Sequence, residues 1–258
     1  MAIVTLTTDF GVRDGYVGAM KGVVLSMAPQ TTLVDITHGV PAHDVVAGAV
    51  ALAQAAPLFP IGTIHVAVVD PGVGGARADL VVEVEGRFFV GPDNGVLSMA
   101  ARGPRRIYRI AAAAFRREPV SPTFHGRDVF APAAARLASG APASEAGPLV
   151  DAMVEIAAAP LRRHAGLIEG EVVYVDGFGN LITSLPADLV PEGAAIEVVG
   201  GDGRFEPVLG RTFSDVDVGT LVAYIGSGGH LEIARRDGSA AERIGAERGT
   251  KVVVRGQA

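Results

Sequence analysis

The chain contains no cysteine. That removes disulfides, thiolate zinc sites, iron–sulfur clusters and thiol nucleophiles together, and it fits an intracellular enzyme. Positive charge is also short: 22 Lys and Arg stand against 28 Asp and Glu, a formal net charge of -6. Such a balance argues against a general nucleic-acid or anionic-membrane surface, although one local basic residue suffices to hold the carboxylate of a small ligand. The opening MAIVTLTTDFG has no basic segment, long apolar stretch or small-residue cleavage site, so no secretory signal is expected and the cytoplasm is the default location. Apolar runs such as IHVAVV fall far short of the roughly 20 residues of a membrane span. Internal repeats, coiled-coil heptads and low-complexity tails are missing as well.

What is present is a core-forming composition, 49% hydrophobic and 19% charged, over 258 residues. This length accommodates one large domain or two ordinary ones. The first half alternates strand-like and helix-like segments. AIVTLT is a β-branched run that ends at Thr8-Asp9-Phe10-Gly11. Tyr16 to Met27 follows with apolar residues at helical spacing, TTLVDI reads as a second strand, and His43 to Ala55 reads as a helix opened by Asp44. TIHVAVVD is apolar enough for a strand buried on both faces. LVVEVE and RFFVG flank Glu85-Gly86 as a hairpin, and Arg127 to Leu137 forms one more short helix. The alternation predicts an α/β domain with a largely parallel sheet. Between Ser139 and Gly166 the chain turns rich in Ala, Pro and Gly, which places a boundary there, with domains at residues 1–160 and 167–258. Beyond it, EVVYVD, NLITSL, AIEVV, TLVAYI, HLEIA and KVVVR predict a small all-β barrel or sandwich.

Candidate chemistry concentrates at the strand ends. Asp9 and Asp70 each end a predicted strand, and ligands in open α/β sheets bind beyond the strand carboxyl ends. Each could equally cap a helix or turn. The glycine loop after Asp70, Pro71 to Gly75, lacks both the Gly-Lys-Ser/Thr ending and the GxGxxG spacing of phosphate loops. It supplies instead a tight turn that brings Arg77 back towards Asp70, as a site pair or an ordinary ion pair. His125 precedes a helix, whose positive end favours neutral imidazole, and is the best general-base candidate. A loop histidine without a role is the alternative. His65, His164 and His230 are placed less usefully. Asp35, His38, His43 and Asp44 cluster without any recognised metal spacing, so no metal is expected. Asp176-Gly177-Phe178-Gly179-Asn180 reads as a hairpin turn, or as a ring for stacking and an amide for an adenine edge.

Taken in order, TDFGVRDGYVGAMKG, VDITHGV, GTIHVAVVDPGVGGAR, FVGPDNG, TFHGRDVFAPAAARLASG, DGFGNLITS and GSGGHLEIA resemble the SAM hydroxide adenosyltransferases, the hydrolytic relatives of the fluorinase and chlorinase. The pieces run from Thr7 to about Ala234. The resemblance implies an α/β domain, a C-terminal β-barrel, and a homotrimer holding S-adenosyl-L-methionine (SAM) at subunit interfaces. It implies a hydrolytic set of Asp70, Arg77 and His125, with Asp9 on the ribose diol. Asp14, Asp176 and Ser227 match positions around the methionine part, and Phe178 and Asn180 match the adenine side. The chain departs from the family pattern at Arg236, where an asparagine is frequent, and at Gly228, where the halogenases carry an arginine. The halogenases also have a tyrosine in place of Asp70, so the intact set favours water over halide.

The implied reaction is hydrolysis of SAM to adenosine and methionine, with SAM as substrate and no cofactor. Attack at the ribose 5′ carbon expels a neutral thioether, which needs neither a general acid nor a metal. The rival expectations are a SAM-dependent halogenase, a metallohydrolase built on Asp35, His38 and His43, and a SAM- or nucleoside-binding protein without turnover.

Overall fold

The computed structural model describes residues 2–164, 166–201 and 203–256. It divides into two compact units, Met1–Ile156 and Ala157–Ala258. Among the described residues no helix is long and apolar enough to cross a membrane.

The first unit runs β1 (Ile3–Thr8), α1 (Tyr16–Met27), β2 (Thr32–Thr37), α2 (Val45–Ala55), β3 (Ile64–Val68), β4 (Asp79–Val84), β5 (Arg87–Pro92), β6 (Arg105–Arg109), α3 (Ala131–Ala138) and β7 (Leu149–Val150). Helix α1 spans the residues that its apolar spacing indicates, with Met20 and Val24 buried. Asp44 caps α2 as its position suggests, accepting from the Ala47 amide at 2.9 Å. Residues Ile64 to Val68 of β3 are all buried, as expected of a strand covered on both faces.

The seven strands form one sheet in the order β2-β1-β3-β5-β4-β6-β7. The β2-β1-β3-β5 half is parallel. The other half is antiparallel, so the sheet is mixed where a largely parallel one was expected. The cause is local: Glu85 and Gly86 both take left-handed backbone (φ 49° and 72°), the requirement of a tight two-residue hairpin. β4 therefore folds back along β5, and β6 and β7 extend the sheet from that edge. β6 and β7 have no counterpart in the sequence reading, because RRIYR and a two-residue strand carry little alternation. Along α3, Ala131, Ala133, Ala134 and Ala135 are fully buried. Their small side chains join the core that Leu6, Val66, Met20 and Phe130 fill.

The second unit runs β8 (Arg162–His164), β9 (Leu167–Val175), β10 (Leu181–Pro186), β11 (Ala195–Gly200), β12 (Gly203–Phe205), β13 (Val208–Leu209), β14 (Leu221–Ile225), β15 (His230–Arg235), α4 (Ala240–Ile244) and β16 (Lys251–Arg255). Its sheet follows the order β12-β11-β16-β9-β10-β15-β14-β13, antiparallel except for β13 on β14. The nine-residue β9 pairs with β16 through Leu167–Glu171 and with β10 through Val172–Val175. One strand thus serves both halves of a half-barrel, whose interior holds Val172, Leu185, Val198, Ile233 and Val254.

Candidate active site

In the parallel half, β1 lies between β2 and β3, so the chain leaves the β1 carboxyl end in one direction and later returns on the other side. Such a reversal opens a crevice beyond the strand ends. Thr8 and Val68 are paired across β1 and β3, which sets Asp9 and Asp70 side by side at that crevice. A cavity of about 280 Å³ opens there, lined by residues including Asp9, Asp70 and His125. Phe10, Tyr16 and Phe124 form an aromatic wall, with ring centroids 5.2–6.0 Å apart. This wall was not singled out from sequence; His43, read there as part of a possible metal cluster, also lines the cavity.

Arg77 does reach back to Asp70. Its Nε donates to Asp70 Oδ1 at 2.9 Å, and Nη2 donates to Asp70 Oδ2. The pair is no ordinary surface bridge, because only 10% of the Arg77 side chain and 4% of the Asp70 side chain are exposed. Nη2 also lies 3.0 Å from His125 Nδ1, so Asp70, Arg77 and His125 stand in one contiguous row. Burial works against the Arg77 charge, but the carboxylates of Asp70 and Asp79 outweigh it and raise the guanidinium above its ordinary range.

Two loops hold this row. Gly74 takes φ 74°, and a Cβ there would sit 2.2 Å from the Pro122 carbonyl oxygen. Only glycine lets the loop after Asp70 close onto the loop before His125. That second loop is anchored by Asp128, which is fully buried. Its carboxylate accepts from the Ser121 amide at 2.9 Å, from Arg127 Nε and Nη2 at 2.8 and 2.7 Å, and from Arg117 Nη1 at 3.3 Å. Burial alone would raise the Asp128 pKa, yet these donors hold it below the usual value. His125 immediately precedes a π-helical turn, Gly126–Phe130, that continues into α3. The helix-start position read from sequence is therefore correct, with an irregular first turn of the kind common at functional sites.

The structure adds a residue that the sequence reading missed. Asp79, at the start of β4, accepts from Arg77 Nη1 and lies 3.2 Å from His125 Nδ1. On its other side, Arg116 Nη2 is 3.5 Å from Oδ2. An acid two residues beyond Arg77 was the only sequence signal, and it merges with the strand pattern.

The remaining candidates are placed as follows. Asp9 Oδ2 accepts from the His43 amide at 2.9 Å. Asp14 is exposed just before α1 and is not among the cavity-lining residues. Asp35 and His38 belong to a different arrangement: Lys21 Nζ donates to Asp35 at 2.6 Å, His38 Nε2 is 3.0 Å from Asp35, and His38 Nδ1 bonds Thr8 Oγ1 at 2.8 Å. Among the described residues no group of three or more His, Asp or Glu is arranged to hold a metal.

In the second unit, Asp176 does organise a hairpin turn. It accepts from the amides of Phe178 and Asn180 and from Asn180 Nδ2, each at 2.9 Å. The turn leaves the Phe178 ring 82% exposed. Asn180 is buried, its side-chain amide fixed by the Asp176 carboxylate. Ser227 is exposed in the turn between β14 and β15. Glu232 of β15, unforeseen in the sequence, pairs in register with Ile182 beside this turn. Burial raises its pKa; the Tyr224 hydroxyl opposes the rise and the Asp176 charge adds to it. The departing Arg236 donates to the Val216 carbonyl at 2.7 Å.

A ligand-sized cavity at the reversal point of the parallel half of the sheet, lined by Asp70 and His125 with the Arg77 guanidinium buried behind them, defines an α/β enzyme for a polar small molecule. The chain belongs to the SAM hydroxide adenosyltransferase family: the N-terminal domain model matches residues 4–147 and the C-terminal domain model residues 170–253. It is 44% identical over 262 residues to the (R)-S-adenosyl-L-methionine hydrolase of Thermus thermophilus, covering 98% of this chain and 99% of that one. It is 40% identical over 259 residues to the protein of the same name from Salinispora tropica, covering 97% of each. The crystal structure of an uncharacterized conserved protein from Thermotoga maritima superposes with a TM-score of 0.91 at 33% identity, over 99% of this chain and 100% of that one.

Proposed function

We propose that this protein hydrolyses SAM, in the (R) sulfonium form named for both hydrolase relatives, to adenosine and L-methionine. The observation that carries the reading is that Asp70 and His125 line the cavity with the Arg77 guanidinium held between them, against both. A water held against these residues attacks the ribose 5′ carbon; the new C–O bond forms as the C–S bond breaks. Methionine departs as a neutral thioether, so no metal or general acid is required. The water proton passes to His125, while Asp70 and Arg77 orient the nucleophile. Hydroxide and sulfonium neutralise one another in the transition state, a process favoured by a site from which water is excluded. The aromatic wall of Phe10, Tyr16 and Phe124 supports that role.

Substrate contacts follow the family resemblance: Asp9 on the ribose diol, Asp14, Asp176 and Ser227 around the methionine part, Phe178 and Asn180 on the adenine. The same resemblance supports a homotrimer with shared sites. Incubation with SAM in oxygen-18 water, with chloride and a chelator present, tests the reaction. Adenosine carrying one labelled 5′ oxygen is expected. Halogenated nucleoside as the main product, or activity that returns only with a divalent metal, refutes the proposal.

A further inference from the structure

We infer that Asp79 is a positioning residue that selects the reactive tautomer of His125, an inference that rests on the hydrolase reading above. His125 Nδ1 faces two groups of opposite demand. Arg77 Nη2, 3.0 Å away, can only donate, whereas Asp79 Oδ1, 3.2 Å away, can only accept. A neutral imidazole answers one of them. If Nδ1 accepts from Arg77, the ring proton sits on Nε2 and the histidine has no lone pair left for a water proton. If Nδ1–H donates to Asp79, Nε2 is the free base.

The surrounding bonds favour the second arrangement. Arg77 is already served by acceptors on three of its donors: Nε and Nη2 by Asp70, and Nη1 by Asp79. Asp79 Oδ1, by contrast, would face the lone pair of an unprotonated Nδ1 at close range, a repulsion with little water to screen it. The Asp79 side chain is only 9% exposed and that of His125 only 13%. A charge-assisted Nδ1–H bond to the carboxylate removes this conflict; Arg77 Nη2, already donating to Asp70, then stands beside the ring without donating to it, and Asp79 Oδ1 links the two by accepting from both. The carboxylate is itself fixed, by Arg77 on Oδ1 and by Arg116 on Oδ2, and its residue is held in the sheet opposite Pro92. Asp79 is not a cavity-lining residue, so it works through His125 and not on the substrate. It thus does for the ring what the orienting acid does in a nucleophile–histidine–acid chain.

The substitutions Asp79→Asn and Asp79→Leu test this. An amide presents one acceptor and one donor side, so it cannot serve Arg77 and His125 on one edge and Arg116 on the other; leucine serves neither. In uniformly nitrogen-15-labelled protein, the wild type is expected to carry the His125 proton on Nδ1. Asp79→Leu should move it to Nε2, with Arg77 as the new donor. kcat should fall by about 10²-fold in Asp79→Leu while KM changes by less than about 3-fold, because the substrate contacts remain. Asp79→Asn, nearly isosteric, provides the same two readouts if the leucine variant does not fold. A wild-type His125 protonated on Nε2, or a variant with unchanged tautomer and kcat, overturns the inference. Wild-type protein that forms no adenosine from SAM would sink the hydrolase reading instead, and the tautomer measurement would still stand by itself.

Discussion

Replacing His65 with leucine should flatten the acid sensitivity of the first unit. His65 lies in β3, fully buried, with Nδ1 bonded to Thr5 Oγ1 at 2.8 Å and, among the described residues, no hydrogen-bond partner for Nε2. Its ring stacks on Phe89 at 5.1 Å and meets the edge of Phe59 at 5.6 Å. Burial, with a smaller contribution from the nearby Arg87 charge, lowers its pKa from 6.5 to about 4. The native state therefore holds this imidazole neutral, while the unfolded chain protonates it at its ordinary value. Between those two values the unfolded state binds more protons, so stability falls as pH drops through the window and is unaffected above it. The gap corresponds to about 3 kcal/mol in all, with about 2.5 kcal/mol already lost near pH 4.5. Native-state hydrogen exchange of the β1 and β3 amides at about pH 7.5 and 4.5, corrected for intrinsic rates, reads the opening free energy of this unit without requiring two-state unfolding of the whole chain. The leucine variant loses the Thr5 bond at both pH values, so the change between them isolates the titration. Equal losses in wild type and variant, within about 0.5 kcal/mol, would show that His65 is not held neutral in the native state.

Three further outcomes are expected. Asp70→Ala, Arg77→Ala and His125→Ala should each lower kcat by about 10²-fold or more with a smaller effect on SAM affinity, measured by turnover and calorimetry; a near-normal His125 variant would leave orientation alone as the source of rate. Asp128→Ala removes a buried carboxylate serving Arg117, Arg127 and the Ser121 amide, and should cost about 3 kcal/mol in the first unit and disorder the loop that carries His125. Exchange protection of residues 119–128 that matches the wild type would contradict this. Mixing inactive Asp70→Ala and Asn180→Ala chains after dissociation should restore part of the activity if sites are shared between subunits; verified exchange without recovery assigns each site to a single chain.

Much of this molecule was legible in the residues. Apolar spacing located α1 between Tyr16 and Met27, Asp44 announced the start of α2, and Glu85-Gly86 announced a hairpin. These are short-range features, in which the backbone's preferences and one buried face determine the outcome. The ordered motifs also led to the family, and with it to Asp70, Arg77 and His125, because strand-end acids and glycine turns are written contiguously. The pairing of strands was less accessible: β6 and β7 carry too few alternating residues to betray the antiparallel half of the sheet.

Tertiary structure alone decided which polar groups meet. Asp79 and His125 are 46 residues apart, and only the closure of the Gly74 loop on Pro122 and the anchoring of the next loop by Asp128 bring them to 3.2 Å. Likewise, His65 reads as one more strand residue until Phe59, Phe89 and Thr5 converge on it. A side chain's local sequence determines its place on an element. Its protonation and its partners depend on desolvation and on charges delivered by distant segments, and those exist only once the sheet and its loops have packed.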